Sequence, residues 1–150
     1  MMKNFDHILV VSRSTKHCLK ALQTGISLAR EYASRLYVLH VIHDPFNRDG
    51  WNLPAPTFQD EYDKMLEDAR SDLKQMIKTE KAEGMDVVEY TRDGEPADEI
   101  QRVVESENID LIIMLAHQEG RLEHFLFGRT NEKIIRRMPA TLMLIKKDSQ

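Results

Sequence analysis

The sequence predicts an α/β fold, a doubly wound five-stranded parallel sheet with helices on both faces. Three observations predict it. Short β-rich runs alternate with helix-length apolar stripes, most of the runs are apolar without a break, and the connections leave room for crossover helices. A strand covered on both faces has no solvent side to keep polar, so it loses the in–out alternation of a half-exposed sheet.

The runs are His7–Ser12 (HILVVS), Leu36–Ile42 (LYVLHVI), Val87–Thr91 (VVEYT), Ile109–Met114 (IDLIIM) and Thr141–Ile145 (TLMLI). After the first, Leu19, Leu22, Ile26 and Ala29 recur at helical spacing and end near Tyr32. After the second, Phe58, Tyr62, Met65, Leu66, Ala69, Leu73, Met76 and Ile77 draw one apolar stripe. It predicts a helix of about seven turns, closed by Gly84. A third helix opens at Glu95-Pro96, with proline in its first turn, and turns Ile100, Val103 and Val104 inward. A fourth runs from about Thr130 to Arg137, where Pro139 stops it. The order β-α-β-α-β-α-β-α-β demands parallel strands joined by right-handed crossovers. Residues 1–150 are expected to form a single domain, long enough to bury roughly two-thirds of its unfolded surface.

Composition narrows the function. A net charge of −4 argues against nucleic acid and anionic membranes as partners. One cysteine, Cys18, rules out an intrachain disulfide and a cysteine-based zinc site. The opening MMKNFDHILVVSRS lacks the pattern of a secretory signal, and no window approaches a membrane span. A cytoplasmic protein is expected.

In open parallel sheets, ligands sit beyond the C-terminal strand ends where the strand order reverses. Three segments reach that edge: Ser12–Thr15, Ile42–Pro56 and Leu115–Thr130. The last lies within MLAHQEGRLEHFLFGRT, in the place of a phosphate-cradling loop, yet its only glycines are Gly120 and Gly128. Glycine matters there because a residue without a side chain lets backbone N–H groups close on an anion.

Other constellations carry less. His40 and His43 stand three apart on a strand, which puts them on opposite faces, and no third metal ligand accompanies them. Ser12, Ser14 and His17 lack an acid to orient the histidine, and no nucleophile elbow is present. Ser14 or Thr15 reads as a helix cap. Cys18 reads as packing, and Arg136-Arg137 as a complement to a helix C-terminus. No catalytic residue and no metal ligand is therefore assigned.

Three stretches together resemble the universal stress proteins. ILVVSRSTKHCLKAL resembles that family's opening strand, loop and helix. TRDGEPADEIQRVVESENIDLIIM resembles its third strand, Gly-x-Pro helix start and fourth strand. GRTNEKIIRRMPATLMLIK resembles its last helix and strand. The resemblance implies an adenine-nucleotide alpha hydrolase-like sheet, a role in stress response, and a homodimer formed through the C-terminal strand.

Many members of the family bind ATP or AMP through a glycine, two residues, a second glycine, nine residues, then glycine followed by serine or threonine. Here the two leading glycines fall on Leu115 and Gln118, the third on Gly128, and the hydroxyl position on Arg129. The aspartate that meets adenosine falls on Arg13, and Thr130 offers a hydroxyl one residue late. A charge-assisted hydrogen bond to phosphate contributes about 1.5–3 kcal/mol. A micromolar complex amounts to only about −8 kcal/mol, so losing two such contacts moves the affinity toward millimolar.

The sequence therefore implies a regulatory binding protein, not an enzyme, with a departed nucleotide motif. Its candidate nucleotide- or anion-binding residues are Arg13, Val41, Leu115, Gln118, Gly128, Arg129 and Thr130. Arg13 and Arg129 would make a fork for phosphate or carboxylate. A small anionic ligand or a protein partner is expected. The alternative is an ATP- or AMP-binding protein that uses Gly128, Arg129 and Thr130.

Overall fold

Strands β1 (His7–Ser12), β2 (Arg35–Ile42), β3 (Val87–Asp93), β4 (Leu111–Leu115) and β5 (Thr141–Ile145) form one sheet in the order β3-β2-β1-β4-β5. Every neighbouring pair is parallel. The computed structural model describes residues 5–12, 18–42, 67, 71–116 and 130–146. Its helices are α1 (Cys18–Tyr32), α2 (helical over 71–82), α3 (Pro96–Glu107) and α4 (Thr130–Arg137). The part of the long apolar stripe before residue 71, apart from position 67, lies outside the described residues.

Alternate strand residues serve alternate faces, which explains the unbroken apolar runs. On one face Ile8, Val10, Leu36, Val38 and Ile113 meet Leu22 and Ile26 of α1 and Leu73 and Ile77 of α2. On the other, Leu9, Val11, Leu39, Ile112 and Met114 meet Ile100 and Val103 of α3 and Ile134 of α4. Full burial of one such aliphatic side chain contributes about 1.5–3 kcal/mol, so these two layers dominate the stability.

Polar contacts fix the helix positions. Arg30 of α1 bonds Glu80 and Glu83, at the end of α2 and just beyond it. Gly84 then turns the chain with φ of +95°, a conformation open to glycine but strained for other residues. Glu95 caps α3 by accepting from the N–H of Asp98 at 3.0 Å, and Pro96 occupies the first turn as expected.

The fourth strand begins at Leu111, two residues later than the apolar run suggests. Asn108 ends α3 in the left-handed region with φ of 53°. Asp110 then turns its carboxylate to the N–H groups of Asp6 and His7, each at 2.9 Å. Ile109 is buried without being in the strand. The third strand runs two residues further than predicted, because its ladder with β2 continues to Ile42–Asp93.

Candidate functional site

The strand order reverses between β1 and β4, and the ladder between them is short. Register pairs run from Ile8–Leu111 to Val10–Ile113 and stop there. On the outer sides, β1 stays paired with β2 to Ser12–His40, and β4 with β5 to Leu115–Ile145. The two central strands therefore part over their last residues while their outer neighbours hold on, and a crevice opens at the C-terminal edge.

Peptide geometry shows what faces into it. The N–H of Ala116 donates to the carbonyl of Ile145 on β5 at 2.7 Å. In a trans peptide the carbonyl and N–H point in opposite directions, so the Leu115 carbonyl points toward β1. There the ladder of β4 with the described residues of β1 has already stopped. Instead it accepts from the Asn131 side-chain amide, whose Nδ2 lies 2.9 Å away. Asn131, only 7% exposed, thus satisfies this carbonyl from α4.

Thr130 and Asn131 come together because α4 buries one stripe, Thr130, Asn131 and Ile134, with Ile134 fully enclosed. The N-terminus of this helix brings positive partial charge to the crevice mouth. Its outward basic residues are engaged elsewhere. Lys133 pairs with Glu95 at 3.2 Å and Arg137 with Asp98 at 2.9 Å, locking α4 against the start of α3.

Of the candidate residues, three are placed. Val41 is buried on the α3 side of β2, Leu115 is half-buried at the end of β4, and Thr130 is buried at the first position of α4. Leu115 and Thr130 lie at the crevice, joined through Asn131. Arg13, Gln118, Gly128 and Arg129 lie outside the described residues, as do Ser14, Thr15, His17 and His43.

Asn131 was not among the residues that sequence reasoning singled out. Its signal was a polar residue three before Ile134, on the stripe that α4 turns inward. A polar side chain on an apolar stripe needs a hydrogen-bond partner, and the Leu115 carbonyl at the strand end supplies one.

Beside the crevice, Ser12 and His40 are buried in register on the face covered by α1 and α2. The His40 Nε2 lies 3.6 Å from Oε2 of Glu89 on β3, and Lys81 approaches the other oxygen of Glu89 at 3.4 Å. Among the described residues, no three His, Cys, Asp or Glu side chains converge as a metal site would require. Cys18 is buried at the first described turn of α1.

Comparison with known proteins decides the family. The profile of the universal stress protein family matches residues 4–146. The chain belongs to the universal stress protein family. Universal stress protein MJ0531 of Methanocaldococcus jannaschii is 26% identical over 145 residues, covering 95% of this chain and 83% of that one. The solved structure of MJ0577, a universal stress protein of the same organism, has a TM-score of 0.71 at 23% identity, over 99% of this chain and 100% of that one. A universal stress protein family member from Arabidopsis thaliana, solved with AMP bound, has a TM-score of 0.61 at 13% identity, over 96% and 93% of the two chains. At such identities the solved structures establish the α/β fold. Within this universal stress protein, no described helix is long and apolar enough to cross a membrane.

Proposed function

We propose that this universal stress protein is a regulatory binding protein of the stress response that holds a small anion at the β1–β4 crevice. On this reading it does not take ATP in the family's usual mode and turns nothing over. The observation that carries the reading is the state of Leu115. Where the family's motif has a glycine, this chain places a leucine whose carbonyl is tied to Asn131. A side chain at that point keeps the backbone from closing on a phosphate, and side chains must do the binding instead. The α4 N-terminus, Thr130 and the arginines at positions 13 and 129 supply the polar groups.

The second reading is an ATP- or AMP-binding protein that uses Gly128, Arg129 and Thr130. The AMP in the Arabidopsis relative supports it, as does the burial of Thr130 beside the crevice. Either protein would act in the cytoplasm as a single-domain chain, paired as a homodimer through β5, and would pass its state to a protein partner.

A thermal-shift titration with inorganic tripolyphosphate, ATP and AMP, each with and without magnesium, tests the two readings beside an Arg129→Ala variant. A ligand at a hundredfold excess over its dissociation constant adds about 2.7 kcal/mol of stability. Stabilisation by tripolyphosphate that the variant loses supports the first reading. Stabilisation by ATP and AMP alone replaces it with the second. No shift with any of them at millimolar concentration removes both and leaves the protein partner as the ligand to seek.

A further inference from the structure

The last helix and strand are held differently from the others. α1 buries Leu22 and Ile26 among its inward residues, and α3 buries Ile100, Val103 and Val104. α4 has one large apolar anchor, Ile134, and its ties to α3 include the ion pairs of Lys133 with Glu95 and of Arg137 with Asp98. All four side chains are about a third or more exposed, so water and salt weaken both pairs. β5 is five residues long against seven for β3 at the opposite edge, and none of its residues is enclosed. Among the described strands it bonds β4 alone. Between α4 and β5, Met138 stands at φ of 39°, a left-handed conformation that strains a residue with a side chain.

We propose that residues 130–145, α4 together with β5, are a conformational device that opens as one unit while β3, β2, β1 and β4 stay folded. Proteins open locally in contiguous cooperative units, and the least buried unit opens first. The two elements are joined by only Met138, Pro139 and Ala140, and Ala140 and Leu142 pack in the same layer as Ile134. Neither element keeps its contacts when the other leaves. Opening breaks the Asn131–Leu115 bond and the bond from the Ala116 N–H to the Ile145 carbonyl. It therefore removes the α4 wall of the crevice and bares the outer edge of β4 in a single step. The device is independent of what binds in the crevice.

The test is residue-resolved amide hydrogen exchange of the full chain, native and Leu73→Ala. Leu73 is fully buried in α2, which connects β2 to β3 at the end of the sheet away from β5. Its truncation weakens the whole fold without touching the unit. Amides of β1 and β2, which exchange by global unfolding, are expected to quicken about thirtyfold or more. Those of α4 and β5 should exchange faster than these in the native protein and keep their rates in the variant. The Ala116 amide, outside the unit but bonded to it, should exchange with them. Amides of α4 and β5 that quicken with the rest would show that they open only when everything does, and the inference fails. Rates of α4 that differ widely from those of β5 overturn it as well, because the two would then open apart. Both proteins are measured at two concentrations tenfold apart. Protection of the unit that grows with concentration would assign its closure to a second copy, and overturns its opening as a property of the chain. Should Leu73→Ala not fold, the milder Val87→Ala on β3 is judged by the same comparison, with a smaller quickening of β1 and β2 expected.

Discussion

A Cβ built on Gly25 of α1 would overlap the Cγ2 of Val10 on β1. Val10 is fully enclosed, with Leu36 and Ile113 on either side of the same close approach. The helix can lie against the central strand only because position 25 has no side chain. Gly25→Ala is expected to force α1 outward at a cost of about 1–3 kcal/mol, of which alanine's better helix propensity returns up to about 1. Urea unfolding reads the change as a lower midpoint at unchanged slope. A higher midpoint would mean that α1 lies further from the sheet than the geometry requires.

Ile134 is the apolar anchor of α4. It is fully buried among Ile100, Val103 and Met114, while most of the helix's other residues face solvent or form ion pairs. Ile134→Ala is expected to lower the unfolding free energy by about 2–5 kcal/mol. If Asn131 and Ile134 hold α4 as one unit, hydrogen exchange at the β4 end should quicken in this variant as well. Protection confined to its native value there would separate the two contacts.

Glu95 does two things with one carboxylate. One oxygen caps α3 by accepting from the N–H of Asp98, and the other receives Lys133 of α4 at 3.2 Å. Both partners of the ion pair are a third or more exposed, so salt weakens it and its net worth is small. Glu95→Ala should therefore lose about 1 kcal/mol, chiefly the cap, whereas Lys133→Ala loses well under that. Equal losses in thermal melts at high salt would show that the ion pair dominates instead.

The layout of the sheet was readable because its causes are local. Five apolar runs, the Glu95-Pro96 helix start and the Pro139 stop each act within a few residues, and four of the five strands begin within one residue of where their runs do. Ile109 misled because an apolar residue can be buried before a strand starts, once Asn108 and Asp110 have shaped the turn. The crevice was legible as a place, from topology, but not as a set of contacts. Asn131 and Leu115 stand 16 residues apart, and their bond exists only because β1 and β4 part after Val10–Ile113. No period in the sequence reports where a ladder ends.

Tyr90 donates its phenol to the Glu107 carboxylate at the end of α3, and that hydrogen bond raises the phenol above its usual range near 10. A group raised in the folded state contributes stability that is fully present below the unfolded value and fades as pH climbs through the folded one. The fold should thus lose this contribution above about pH 10. Glu107→Gln removes the charge that holds the proton, so the latest phenolate absorbance step should move to lower pH. An unmoved step would mean that Tyr90 is not the tyrosine that ionises last.

β5 ends the sheet opposite β3, with its outer row of backbone groups unpaired by any described strand. Large apolar residues are open to solvent on the strand and in the segment that leads into it: Leu144 at 42% exposure, with Ile135 at 46% and Met138 at 54%. Leu142 packs into the core on the α3 side, and alternation puts Leu144 on that same face. An apolar edge with a free ladder row is a template for a second chain, and a charge placed on it is the standard defence against pairing. Leu144→Lys is therefore expected to turn a dimer into a monomer, seen by light scattering as a fall from twice the chain mass to the chain mass. The variant should stay folded, keeping the native circular dichroism, because Leu144 lies at the sheet edge and is not enclosed in the core. A dimer that survives the substitution would place the interface elsewhere and leave the edge guarded by Lys146, exposed one residue beyond the strand.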